Sequence, residues 1–217
     1  MGDRRPSLGG NVRIRTAYWD IGGVLLTNGW DRYQRAKVFA ELQLSEEDIV
    51  IAEEQREEAN WFWERGLIDE VEFFKRTVFF RPRNFTLQDV WRCVEAQQNV
   101  LHYESFDILK AMHANRQVRL ATLNNESREL NDYRLKRFNL RRYFDFCICS
   151  GYVHEMKPAP GIYRSALEIG GDGPGEACFI DDKEENVAAA NAAGFVGLHF
   201  TSPAALRDQL HSLGIEV

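Results

Sequence analysis

The chain has 217 residues, of which 44% are hydrophobic and 28% charged, and a formal net charge of −6. This length and composition exclude a disordered or fibrous chain. They fit one large domain, or a core with a smaller insertion, able to bury a sizeable apolar interior without covalent staples. The acidic balance and the lack of a long basic run argue against nucleic acid or an anionic membrane as the main partner, and no apolar stretch reaches the roughly 18 residues of a membrane span.

In chain order, residues 1–11 are polar and contain Gly and Pro without an apolar region. They are expected to be a flexible leader rather than a signal peptide. Ile14–Trp19 is the first of five short apolar runs that read as buried strands. From Trp30 to Gln98 the pattern turns helical, with helices expected over Arg32–Leu42, Glu46–Arg65, Asp69–Val78 and Thr86–Ala96. Ser45 heads a capping-box sequence ending in Asp48, and Gly66 is placed to end a helix. This stretch is rich in aromatics, among them Trp63, Phe73, Phe74 and Trp91, read as the interior of a helical bundle or, for one or two of them, as the lining of a substrate pocket.

After it the strands Val118–Leu123, Phe144–Cys149, Ala177–Ile180 and Val196–Phe200 alternate with helices over Arg128–Phe138, Ala159–Ile169 and Asn186–Ala193. Pro203–Leu213 reads as a closing helix. Strand and helix alternating at this spacing predict an α/β fold, a parallel sheet covered by helices on both faces. The expected division is therefore a core of residues 12–29 and 99–217 with an all-helical insertion, residues 30–98, after the first strand. The four cysteines, Cys93, Cys147, Cys149 and Cys178, have neither zinc-site spacing nor a favourable pairing. They are read as free thiols of a cytoplasmic protein.

In an open parallel sheet, ligands bind beyond the carboxyl ends of the strands, so the residues following each run carry the chemistry. Asp20-Ile21-Gly22-Gly23 follows the first. An Asp there can simply form a turn, or its carboxylate can attack phosphorus. Asn124-Asn125-Glu126-Ser127 follows the second, where amides and hydroxyls can cap a helix or donate to phosphate oxygens. Lys157, just before Pro158 and Pro160, is either solvated surface or a point charge holding a phosphoryl group and a carboxylate. Asp181-Asp182, with Asn186 beyond, follows the fourth. Two adjacent acids repel each other unless a hard cation such as Mg²⁺ joins them.

Acid, amide, lysine and acid pair thus follow successive strands. In YWDIGGVLL (Tyr18–Leu26), ATLNNES (Ala121–Ser127), MKPAPGIY (Met156–Tyr163) and FIDDKEENVAAANAAG (Phe179–Gly194) the chain resembles the haloacid dehalogenase superfamily, in particular its phosphatase-like members with a helical cap. The resemblance implies a Rossmann-like core, a Mg²⁺ cofactor and a small phosphorylated substrate. It implies Asp20 as nucleophile and metal ligand, with the Gly22 carbonyl and Asp182 as further ligands and Asp181 binding directly or through water. Lys157 would bridge phosphate and Asp20, while Asn124, Asn125 and the Gly22-Gly23 turn would contact phosphate.

Two positions depart from the pattern. Gly22 stands where most phosphatases of the superfamily carry a second Asp as general acid and base, and Asn124 where they carry Ser or Thr, although Thr122 points the same way. Losing a general acid costs about 10²- to 10⁴-fold when the leaving group is poor. Three functions follow: a phosphohydrolase, favouring good leaving groups such as sugar 1-phosphates; a weak or inactive protein that binds a phosphorylated ligand or partner; and a 2-haloacid dehalogenase. Asp31, just past the first motif, is a candidate proton donor or a helix cap. The aromatic insertion could also pair two copies into a homodimer.

Overall fold

The computed structural model describes residues 13–217, so the expected leader lies outside the described residues. Five strands, β1 (Thr16–Trp19), β2 (Arg119–Asn124), β3 (Phe146–Cys149), β4 (Ala177–Asp181) and β5 (Val196–His199), form one all-parallel sheet in the order β3-β2-β1-β4-β5. Each expected strand is present, within two residues at either end.

Both faces of the sheet are covered, which is why the strands read as continuous apolar runs rather than alternating ones. Ala17 and Trp19 of β1 and Cys178 and Ile180 of β4 point to one face. There they meet α5 (Tyr103–Asn115), the end of α6 (Arg128–Arg137) and α10 (Pro203–Ser212). Tyr18, Ala177 and Phe179 point to the other, against α8 (Pro160–Gly170) and α9 (Glu184–Ala192). A four-residue α7 (Ser150–Val153) follows β3.

Between β1 and α5 lie four helices, α1 (Arg32–Glu41), α2 (Glu46–Glu64), α3 (Glu70–Thr77) and α4 (Leu87–Ala96). They bury their own apolar cluster, built around Trp30, Trp63, Phe73 and Phe74, with the Trp63 and Phe73 rings stacked 4.1 Å apart. The expected aromatic interior is therefore present. The chain leaves and rejoins the core at one place, where Thr27 N donates to Asn99 O and Leu101 N to Leu25 O. Gly66 does follow α2 with φ +62°. Ser45 caps α2, but Asp48 does not complete a capping box; its carboxylate turns instead to Arg83, at 2.7 and 3.0 Å.

Helix α5 was not among the expected elements. Its cap residue, His102, makes no side-chain bond to the helix, so the usual starting signal is missing. Among the described residues no helix is long and apolar enough to cross a membrane, and all four cysteines are free thiols.

Candidate active site

Strand order reverses beside β1: β2 and β3 lie on one side, β4 and β5 on the other. The crevice at the carboxyl ends of β1 and β4 is therefore the topological switch point, where open α/β sheets bind ligands. Trp19 pairs with Ile180, so the residues that follow, Asp20 and Asp181, come side by side, and Asp20 N donates to Ile180 O at 2.9 Å.

Lys157 reaches this point from the loop before α8. Its Nζ lies 3.1 Å from Asp20 Oδ1 and 2.7 Å from Asp181 Oδ2, with only 2% of its side chain exposed. Asn125 fixes that loop: its Oδ1 accepts from Lys157 N at 2.9 Å and its Nδ2 donates to Lys157 O at 2.8 Å. Asp181 also accepts from Lys183 N at 2.8 Å and from Asn186 Nδ2 at 3.0 and 3.1 Å. Asp181 is thus surrounded by donors. Asp182 Oδ1, by contrast, is buried with no hydrogen-bond partner.

Carboxylate oxygens of Asp20, Asp181 and Asp182 lie within 4.8 Å of one another. Burial, with Asp181 and Asp182 adding to it, raises the Asp20 carboxyl above its ordinary range, and Lys157 opposes the rise. Burial and Asp181 likewise raise Asp182. One lysine does not balance three carboxylates. The chemistry of this donor set, all hard oxygens with one buried oxygen unpartnered, fits Mg²⁺. The turn after Asp20 fits it too. Gly23, at φ +74°, lies so close to Asp182 that a Cβ would overlap its carboxylate.

The cavity above these groups has a volume of about 400 Å³. Asp20, Gly22, Asn125 and Lys157 line it. Gly23, Asn124, Asp181 and Asp182 are not among the lining residues. The Gly23 amide is held by Leu26 O at 2.9 Å, and the Asn124 amide turns to Asn131 Oδ1 at 3.2 Å. Asp31 lines the cavity but caps α1, its Oδ1 accepting from Tyr33 N and Gln34 N at 2.8 and 3.0 Å.

The sequence reasoning missed several lining residues. Asn28 Oδ1 occupies the space a side chain on Gly22 would take. Arg35 and Arg56, joined by Glu53 at 2.8 to 3.0 Å, face the cavity from α1 and α2. Glu64 stands at the end of α2, and Glu126 is paired with Arg134 at 2.9 Å. Glu126 lies two residues past β2, within the motif after that strand, so its place there could have signalled it. Arg35, Arg56 and Glu64 are brought in by the helical insertion and leave no local mark, while Asn28 follows the first motif within the core segment.

The family model for haloacid dehalogenase-like hydrolases matches residues 14–194. The chain belongs to this family. It is 29% identical over 161 residues to the chloroplast flavin mononucleotide hydrolase 1 of Arabidopsis thaliana, covering 71% of this chain and 62% of that protein. The chain thus spans less than two thirds of that relative's length. In fold it is similar to a HAD family enzyme of Bacteroides thetaiotaomicron, with a TM-score of 0.75, 23% identity and coverage of 92% of this chain and 98% of that one. It is also similar to that enzyme's complex with magnesium and inorganic phosphate, with a TM-score of 0.70, 23% identity and coverage of 86% and 93%.

Proposed function

We propose that this member of the family is a Mg²⁺-dependent phosphohydrolase acting on small phosphorylated metabolites through an aspartyl-phosphate on Asp20. The observation that carries the reading is Lys157, bridging Asp20 and Asp181 beside the unpartnered oxygen of Asp182. The phosphatase and hydrolase names among relatives and the magnesium-and-phosphate complex of the Bacteroides enzyme support it.

Asp20, Asp182 and the Gly22 carbonyl would hold Mg²⁺, with Asp181 binding directly or through water. Bound there, the ion supplies positive charge to the phosphoryl oxygens. Asp20 attacks phosphorus in line. Lys157, immobilised by Asn125 and Asp181, offsets charge on the equatorial oxygens as the bond to the leaving group breaks. Water then attacks the aspartyl-phosphate and frees Asp20. The Gly22 amide, outside the turn's own hydrogen bonds, is the backbone group able to donate to phosphate. Helices α1–α4 act as the cap, and Arg35 and Arg56 face the part of the substrate beyond its phosphate.

The test is hydrolysis of para-nitrophenyl phosphate with Mg²⁺ and with chelator, beside Asp20→Asn. The reading expects turnover that needs both the ion and Asp20. Turnover indifferent to either would overturn it. Binding of phosphate without turnover by the folded protein would establish the ligand-binding alternative.

A further inference from the structure

We propose that Glu64, carried into the cavity by α2, protonates the leaving-group oxygen and then deprotonates the attacking water. The inference deepens the phosphohydrolase reading and rests on it. Expulsion of an alkoxide needs a proton in the transition state, and the carboxyls of the cavity differ in whether they can give one. Asp20 is the nucleophile. Asp31 is taken up in capping α1. Both oxygens of Glu126 already accept, Oε2 from Arg134 at 2.9 Å and Oε1 from Ser127 N at 3.1 Å, and its side chain is only 5% exposed. Glu64 remains. It is partly open to the cavity and receives one hydrogen bond, to Oε1 from Asn60 Nδ2 at 2.8 Å.

Its position is fixed by the core rather than by the helix alone. Ser150 Oγ, after β3, donates to Glu64 O at 2.6 Å. The next residue, Arg65, donates from Nε to His154 O at 2.8 Å, and its carbonyl lies 2.7 Å from His154 Nδ1. Gly66 packs so closely on Gly151 that a Cβ would overlap the Gly151 carbonyl. A carboxyl anchored this way is held in one place at the cavity wall, as a proton-transfer group must be.

Asn60 suits both states of the group. Its Oδ1 is buried without a partner. A half-turn of the amide would let that oxygen accept from the protonated acid, as its Nδ2 now donates to the carboxylate. Burial raises Glu64 above the ordinary carboxyl range; Asn60, Lys183, Arg56 and Lys157 pull the other way, and Glu126 stands close by.

The proton balance closes. Asp20 bonds to phosphorus, the phosphorus–oxygen bond to the leaving group breaks, and Glu64 gives its proton to the departing oxygen. Water then bonds to phosphorus and yields a proton to the Glu64 carboxylate, while the Asp20–phosphorus bond breaks. Phosphate is released, and Asp20 is again ionised and Glu64 protonated. On this account Gly22 does not confine the enzyme to good leaving groups, and plain alkyl phosphates are substrates.

The experiment compares Glu64→Gln with the wild-type enzyme in Mg²⁺, on para-nitrophenyl phosphate and on glycerol 2-phosphate, with thermal unfolding as a fold check. In Glu64→Gln, para-nitrophenyl phosphate should give a burst near one para-nitrophenolate per site. Steady turnover on both substrates should then be about 10²- to 10⁴-fold below wild type. Glu64→Asp should recover part of it. The alkaline fall in wild-type kcat/KM on glycerol 2-phosphate, where Glu64 loses its proton, should be absent from Glu64→Gln. Unchanged turnover in Glu64→Gln would overturn the proposal, and so would loss of the burst together with turnover in a folded variant. A wild-type protein without turnover, or an Asp20→Asn variant that keeps it, would instead defeat the phosphohydrolase reading, and the role of Glu64 with it.

Discussion

At Lys157 a single ammonium is held among carboxylates from which water is nearly absent: 2% of its side chain is exposed, against 12% for Asp20 and none for Asp181. Removing one partner of such a buried cluster costs about 3–5 kcal/mol, because the charges left behind stay desolvated. Lys157→Met should therefore lower stability by about that much in chelator, measured by urea unfolding. Because the residues share one network, Lys157→Met with Asp181→Asn should cost less than the sum of the two changes. An additive result would mean that Lys157 is held by its backbone bonds to Asn125 rather than by the acids. At this scale Asp20, Lys157, Asp181 and Asp182 were legible as candidates because they fall at a strand's carboxyl end or in the connection that leaves it. Asn124 was not. Its position at the carboxyl end of β2 is right, but its side chain faces Asn131 on α6, and no local pattern says which way an amide will turn.

Among the elements, α2 has two loads: it buries Ala52, Ala59 and Trp63 in the insertion's interior, and its end is tied to the core at Ser150, Gly151 and His154. Gly66 makes that tie possible, since only a residue without Cβ takes φ +62° there and still approaches the Gly151 carbonyl. Gly66→Ala should destabilise the protein by at least the roughly 1–2 kcal/mol of a left-handed backbone, read by urea unfolding. It should also lower steady turnover on both alkyl phosphates and para-nitrophenyl phosphate while keeping the para-nitrophenolate burst, because Glu64 moves with the helix end. Unchanged turnover in the destabilised variant would separate the tie from proton transfer. Asp31, Ser45 and Thr86 mark by their side chains the starts of three helices that were read, though α8 and α9 were read without such a cap. Helix α5, which lacks such a cap, went unread. The tie of α2 to β3 joins residues 86 apart in the chain and carries no local signature.

For the whole molecule, the parallel sheet was legible because its strands read as apolar runs and each crossover carries a helix. The side of β1 on which β4 would lie was not read from any residue, yet that choice brings Asp181 and Asp182 to Asp20 and so gathers the three carboxylates into one cluster. The site then acts back on the stability of the whole chain. Three carboxylates gathered around one lysine favour any state in which a cation joins them, and an ion that binds only the folded chain stabilises it by mass action. Mg²⁺ at a hundredfold excess over its Kd should add about 2.7 kcal/mol, a rise of about 5–10 °C in Tm for a chain of this size. Asp182→Asn removes the unpartnered oxygen and one negative charge together. Without metal this variant should be at least as stable as the wild type, because it relieves repulsion within the cluster. With Mg²⁺ it should lose most of the rise in Tm. Differential scanning calorimetry of both proteins, in chelator and across a Mg²⁺ series, reads each effect separately. A rise that survives undiminished in Asp182→Asn would place the ion elsewhere and leave that buried oxygen without a role in metal binding.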